Sequence, residues 1–149
     1  MLLRSTPIGL LTLVAVVGCG AKSDPVRQAL DRIVAAAKDR DAAELVESLT
    51  PDFQAADGTG RADAEATLRR YLAAYEQLDV RISDVTIERA TGAARARFRA
   101  ELSGKPRNIG GLEGLVPRTS TYRFDLRLSP DSNGRWLVTS AGWEETARP

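Results

Sequence analysis

The sequence contains no histidine and a single cysteine, Cys19. Each absence excludes chemistry. Without histidine, Ser-His-Asp and Cys-His nucleophilic sites lack their general base. With one cysteine no intrachain disulfide forms, and a zinc site lacks its usual nitrogen and sulfur ligands. An oxygen-only calcium site is conceivable at Asp131 to Gly134, but Asp-x-Asn-Gly reads better as a turn. No metal and no cofactor is therefore expected. An excess of charge is also missing: 21 Lys+Arg stand against 20 Asp+Glu. Such balance gives no electrostatic reason to expect nucleic acid as a partner.

No apolar run is long enough to span a bilayer, which takes about 20 residues. The one distinct run, Ile8 to Val17, follows a short start bearing one charge, Arg4. That layout is a signal-peptide core. Small residues close it: Val16, Val17, Gly18, Cys19. These four positions resemble the bacterial lipobox, with valine in place of the commoner leucine. The resemblance implies a signal peptide over 1–18, cleavage before Cys19, and lipidation and acylation of that cysteine. The expected domains are then 1–18 signal, 19–24 lipidated tether and 25–145 folded domain. Residues 1–18 hold one base and no acid, so the remaining chain balances at 20 against 20. Each buried acyl methylene contributes roughly 0.8 kcal/mol, and two or three chains hold stably where one does not. The chain is thus expected at the bacterial cell envelope, held to a membrane through Cys19. Gly20 stands where an aspartate would favour inner-membrane retention in enteric-type sorting, so the outer membrane is expected if the organism is Gram-negative. A tether of about five residues keeps the domain within about 20 Å of the lipid, and a ligand is expected at the membrane face.

After the tether the pattern is helical. Asp24 and Pro25 read as an N-cap and first-turn proline. Val26, Leu30, Ile33, Val34 and Ala37 then share one face. A second start stands at Asp41, with Glu44 three residues on as in a capping box. Leu45, Val46 and Leu49 follow, and Pro51 is expected to end that helix. Phe53 to Ala56 is a short strand or a loop, and Asp57 to Gly60 a turn. Leu68, Tyr71, Leu72, Tyr75 and Leu78 predict the longest helix from Ala62. The period then becomes two. Val80 and Ile82 alternate, and Val85 and Ile87 resume out of phase, which implies a bulge. Ala94 to Leu102 and Tyr122 to Leu128 alternate apolar with charged residues, as half-buried strands do. Asn133-Gly134 marks a turn. Trp136 to Trp143 is the last strand, with blurred alternation. Three helices followed by four or more strands make an α+β domain.

The order of these features resembles the NTF2-like superfamily, also called SnoaL-like. The residues concerned are Leu49-Thr50-Pro51-Asp52-Phe53, the glycine-containing break before Ala62, Gly134-Arg135-Trp136-Leu137-Val138, and Trp143. The resemblance implies a cone: three helices packed on a curved antiparallel sheet. It implies no activity, because the family spans isomerases, dehydratases, transport adaptors and binding modules. The aspartates match no catalytic motif of the family, so no catalytic residue is carried over.

Three sets of residues stand out. Phe53, Tyr71, Tyr75, Tyr122, Trp136 and Trp143 would line an aromatic pocket for a small apolar ligand, or be plain core. Ile109, Leu112, Leu115 and Val116 lie in a glycine-rich connection, Gly104 to Val116. It reads as a lid, a docking loop or a decorated hairpin. It lacks the ending and context of a phosphate loop. Arg95, Arg97, Arg99, Arg123 and Arg127 share an outward strand face with Glu101 and Asp125. That face would be an anion patch, or a field of cross-strand ion pairs. The superfamily resemblance also implies a possible homodimer through it. Glu144 and Glu145 point to opposite faces of a strand and read as a solvated chain end. The expected role is a non-catalytic ligand-binding or partner-binding module. The alternatives are an isomerase or hydro-lyase using a carboxylate and a tyrosine, and a structural part of an envelope complex.

Overall fold

The computed structural model describes residues 24–108 and 110–146. The signal segment and Cys19 lie outside the described residues, as does Ile109.

Helix α1 spans Pro25–Lys38. Asp24 caps it as expected: its carboxylate accepts from the Val26 amide at 2.8 Å. Such a cap contributes about 1 kcal/mol. Helix α2 spans Ala42–Glu47, with the Asp41 carboxylate accepting from the Glu44 amide at 3.0 Å. The reciprocal half of the capping box does not form. Glu44 instead pairs with Arg135, 91 residues away, at 2.9 Å. Pro51 does not end α2. The helix stops at Glu47, where the Ser48 hydroxyl donates to the Glu44 carbonyl at 3.0 Å. Pro51 lies inside strand β1, Leu49–Ala55. This is an edge strand whose register shifts between Leu49 and Gln54. Edges and bulges are where a strand tolerates a residue without an N–H.

Helix α3 spans Arg61–Ala73, shorter than the periodicity predicted. Tyr75 and Leu78 belong to strand β2, Tyr75–Ala90. The spacing of Tyr71, Tyr75 and Leu78 suits a helix, but Leu78, Val80 and Ile82 also suit a strand. Pairing with strand β3, Ala93–Pro106, decides between them: Tyr75 stands opposite Pro106 and Leu78 opposite Gly104. The bulge falls where the sequence put it, between Ser83 and Thr86, with Asp84 at φ +53°. Strand β4 spans Thr119–Pro130 and β5 spans Trp136–Glu145.

The sheet order is β1-β5-β4-β3-β2. The last four strands are antiparallel neighbours, and β1 adds a parallel edge on β5. The fold class is α+β as expected, and the sheet has five strands. One extra residue, Thr139, interrupts the β4–β5 register. It explains the blurred alternation of the last strand. Val138 faces inward before the bulge and Ala141 after it, both buried.

Helix α1 packs on the inner face of the sheet. The inward residues of β3 there are small, Ala94 and Ala96, and leave room for the helix. Val26, Ala29 and Leu30 meet them together with Leu126, Leu128 and Val138. Burying a side chain such as Leu30 contributes roughly 1.5–3 kcal/mol. A second cluster joins α1, α2 and α3 through Ala36, Leu45, Leu72, Tyr75 and Leu78.

Candidate functional site

The strand registers place one transverse row of aromatics across the inner face. Phe98 of β3 stands opposite Phe124 of β4, which stands opposite Trp143 of β5. The Phe98 and Phe124 rings stack with centroids 5.4 Å apart. Phe124 meets Trp143 at 6.5 Å and Tyr122 at 6.1 Å. The next row holds Ala100, Tyr122 and Glu145. The α3–β2 junction adds Tyr71 and Tyr75, whose rings are 5.4 Å apart. Tyr71 and Tyr75 do meet, but across a helix-to-strand turn and not one turn apart on a helix.

Four of the six predicted aromatics thus gather at one end of the sheet: Tyr71, Tyr75, Tyr122 and Trp143. Phe53 and Trp136 do not join them. Phe53 is buried in the cluster around α1, and Trp136 packs against that same cluster. The Trp136 carbonyl also accepts from Arg32 of α1 at 3.4 Å. Sequence reasoning missed Phe98, Phe124 and Glu145 as site residues. The two phenylalanines stood in the alternation of their strands, so the signal was present. Glu145 was set aside as a solvated end. Glu144 does lie outward, on Arg123 at 3.2 Å. Glu145 takes the inward register position opposite Tyr122.

The hydroxyls differ in their circumstances. Tyr75 is buried and donates to the Pro117 carbonyl at 2.8 Å. The Tyr71 hydroxyl is buried without a hydrogen-bond partner among the described residues. Burial, and then the neighbouring Tyr75 hydroxyl, push its ionisation well above the usual phenol range; the charge on Glu145 acts in the same direction more weakly. At any ordinary pH Tyr71 is a neutral phenol, with the Tyr75 hydroxyl as its polar neighbour. Trp143 is 51% exposed. The aromatic end therefore offers ring surface, one half-exposed indole and the Tyr71 hydroxyl.

The connection beyond β3 lies at this same end. It includes one 3₁₀ turn, Glu113–Leu115. Leu112 is 54% and Leu115 79% exposed, so neither packs onto the domain. Val116 does, against the cluster that holds Tyr71 and Tyr75. Three backbone-anchored bonds tie the connection down: Tyr75 to Pro117, the Gly104 amide to the Arg118 carbonyl at 2.9 Å, and the Arg107 amide to the Ala74 carbonyl at 2.9 Å.

The chain enters the domain at the opposite end. Asp24 forms an ion pair with Arg89, beside the β2–β3 turn. From Ala94 at that end to Gly104 near the aromatics, β3 rises roughly 33 Å along the strand. Residue 24 and the aromatics therefore lie at opposite ends of the sheet.

Four of the five outward arginines are engaged by carboxylates. Arg95 grips Asp125 through two bonds, at 2.8 and 2.5 Å. Arg97 pairs with Glu88, Arg99 with Asp84 at 3.9 Å and Arg123 with Glu144. This is the field of ion pairs weighed above. Asp125 is held below the usual carboxylate range by the Arg95 hydrogen bonds. Two surface concavities, of about 520 and 610 Å³, lie on the outer sheet face and beside the α1–α2 turn. None of the six aromatics lines either one.

Solved structures with this arrangement include an NTF2-like superfamily protein from Salmonella enterica serovar Typhimurium. It superposes with TM-score 0.65 at 16% identity, over 83% of this chain and 89% of that one. The fold is the NTF2-like cone. A protein from Streptomyces avermitilis, named provisionally as a dehydratase of the NTF2-like family, has TM-score 0.69 at 13% identity, over 83% and 95% of the two chains. One from Novosphingobium aromaticivorans, named provisionally as a scytalone dehydratase, has TM-score 0.68 at 13% identity, over 83% of each chain. No family model and no curated protein matches the sequence. In this NTF2-like cone α1 starts at the end where Asp24 meets Arg89, and the aromatics lie at the other end with the Tyr75–Pro117 contact.

Proposed function

We propose that the chain is a lipid-anchored lipoprotein of the bacterial cell envelope. Its NTF2-like domain binds a small apolar or amphipathic ligand at the aromatic end of the cone, without catalysing a reaction. The observation that carries this reading is the Tyr71 hydroxyl, buried among aromatic rings without a hydrogen-bond partner in the described residues. A buried polar group without a partner costs about 1–3 kcal/mol. A ligand that accepts its hydrogen bond removes that cost, and the half-exposed Trp143 supplies apolar contact. The exposed Leu112 and Leu115, with Val116 as their packed root, act as a lid or a partner contact over this end. The lack of histidine in the whole chain supports binding over catalysis.

A lipid anchor at Cys19 gives this site a direction. The aromatic end faces away from the membrane that holds the chain, so the ligand comes from the compartment beyond it. In a cell with two membranes this is the periplasmic face of the outer membrane.

Native mass spectrometry of the protein extracted from its own envelope, beside a Tyr71→Phe variant, tests the binding reading. A retained small molecule that Tyr71→Phe weakens by about tenfold is the expected result. A ligand-free wild-type protein counts against it.

A second reading is an isomerase or hydro-lyase. Glu145 favours it, because it stands opposite Tyr122 and bears on Tyr71. The provisional dehydratase names of two similar structures point the same way. Turnover of a bound ligand, abolished by Glu145→Gln with binding kept, would establish this reading over the first.

A further inference from the structure

The outer face of the sheet is largely a lattice of ion pairs. Arg95, Arg97, Arg99 and Arg123 each hold a carboxylate. Arg127 of β4 has no carboxylate within ion-pair distance among the described residues, and Asp52 of β1 has no charged or hydrogen-bonding partner for its carboxylate there. Both are exposed. They are not scattered: both line the same concavity, of about 520 Å³.

The local backbone explains the depression. Between β4 and β1 runs β5, and its outward positions here are Ser140 and Gly142, opposite Arg127 and Asp125. A side chain at 142 would meet the Ala56 methyl at 3.6 Å, so the small residues at these positions make the floor. The Thr139 bulge fixes one wall. It offsets the register next to Arg127, and the Thr139 hydroxyl donates to the Arg127 carbonyl at 3.2 Å. The β1 register shift, between Leu49 and Gln54, includes Asp52 on the other wall. Asp125 also borders the depression, but Arg95 already neutralises it.

An exposed guanidinium and an exposed carboxylate, neither in an ion pair among the described residues, thus border one depression from the two strands that flank β5. The register sets Gln54 beside Ser140 and so in line with Arg127, and Asp52 stands two residues before Gln54 on β1. The opposite charges on its two walls match a ligand with an ammonium at one end and a carboxylate at the other, each end met by a charge-assisted contact. We propose that this depression binds a small zwitterion, an amino acid or a short peptide, with its ammonium on Asp52 and its carboxylate on Arg127. The Ser140 hydroxyl on the floor is available to the ligand backbone. This site is on the opposite face of the sheet from the aromatic end and stands independently of it.

The test is amide chemical-shift titration of the isotopically labelled protein with alanine, dialanine, N-acetyl-dialanine and dialanine amide. Saturable shifts at Ser140 and Gly142 with the free dipeptide or amino acid, in roughly the millimolar range or tighter, are expected. Loss of those shifts on acetylation and on amidation is expected too. The ranking of alanine against dialanine tells the free amino acid from the peptide. Asp52→Asn and Arg127→Gln should each weaken binding about tenfold with the rest of the spectrum unchanged. Equal binding of the acetylated or amidated probe, or no saturable shift at Ser140 and Gly142 with any probe, overturns the proposal.

Discussion

The hydroxyl of Tyr75 donates to the carbonyl of Pro117 at 2.8 Å, across 42 residues of sequence. It ties the start of β2 to the connection that bears the exposed leucines. Tyr75 is buried, and its ring packs on Tyr71. One residue therefore anchors the loop from below and supports the aromatic end from the side.

Tyr75→Phe keeps the ring and removes the bond. The Pro117 carbonyl then needs water, and the loss should be about 1 kcal/mol. In a domain of this size that lowers the melting midpoint by roughly 3–6 °C. Hydrogen exchange should quicken at Gly104, whose amide bonds to Arg118 beside Pro117. Exchange unchanged at Gly104 would show that Tyr75 does not hold the loop.

Gly104 is the other half of that arrangement. A Cβ at 104 would stand 2.6 Å from the Tyr75 ring and 2.7 Å from the Gln77 carbonyl oxygen. The ring and the backbone both occupy the space a side chain needs. Gly104→Ala should destabilise by about 1–3 kcal/mol, the usual cost of overpacking. Chemical denaturation measures it. Tyr75→Leu in the same chain should recover only part, because the Gln77 carbonyl remains in the way.

Gly104 and Tyr75 also mark where the sequence was legible and where it was not. The alternation of Ala94 to Leu102 and of Tyr122 to Leu128 gave the two central strands, and Asp24-Pro25 gave the first helix start. These are local signals, and local geometry decided them. The spacing of Tyr75 from Tyr71 fits a helix, while its pairing with Pro106, about thirty residues on, decides the strand. The edge position of β1, which admits Pro51, depends on β5, almost 90 residues later. In the candidate site, tyrosines and Trp143 could be named one by one. Their separation from Phe53 and Trp136 could not, because it follows from where α1 lies across the sheet.

The Arg95–Asp125 pair gives a pH prediction. The folded-state carboxyl is depressed by its guanidinium. Its contribution is therefore present above the unfolded carboxylate range, about 3.9, and is lost as pH falls through the folded value. Both side chains are about two-fifths exposed, at 40% and 39%. Screening limits the effect to at most about 1 kcal/mol. Asp125→Asn should be less stable than wild type at pH 7, and the gap should close as the pH is lowered beyond the carboxylate range. Urea midpoints of the two proteins across that range measure it. A gap that stays constant with pH would mean that charge is not what Asp125 contributes.

The two tryptophans report the orientation of the domain. Trp136 opens β5, and its carbonyl accepts from Arg32 of α1 at 3.4 Å. It lies at the end where Asp24 meets Arg89 and the chain enters. Trp143 stands seven residues further along β5, roughly 23 Å away at the usual strand rise. The proposed lipid anchor at Cys19 would hold the Trp136 end toward the bilayer, because five residues reach no more than about 20 Å. Energy transfer from tryptophan to an acceptor on lipid headgroups falls with the sixth power of distance, so the two positions should separate clearly. In vesicles carrying the native lipidated protein, Trp143→Phe, which leaves Trp136, should transfer efficiently. Trp136→Phe, which leaves Trp143, should transfer weakly. Equal transfer from both would mean that the domain lies flat on the membrane and brings Leu112 and Leu115 to it. Strong transfer from Trp143 alone would turn the aromatic end toward the lipid and make the bilayer itself the source of the ligand.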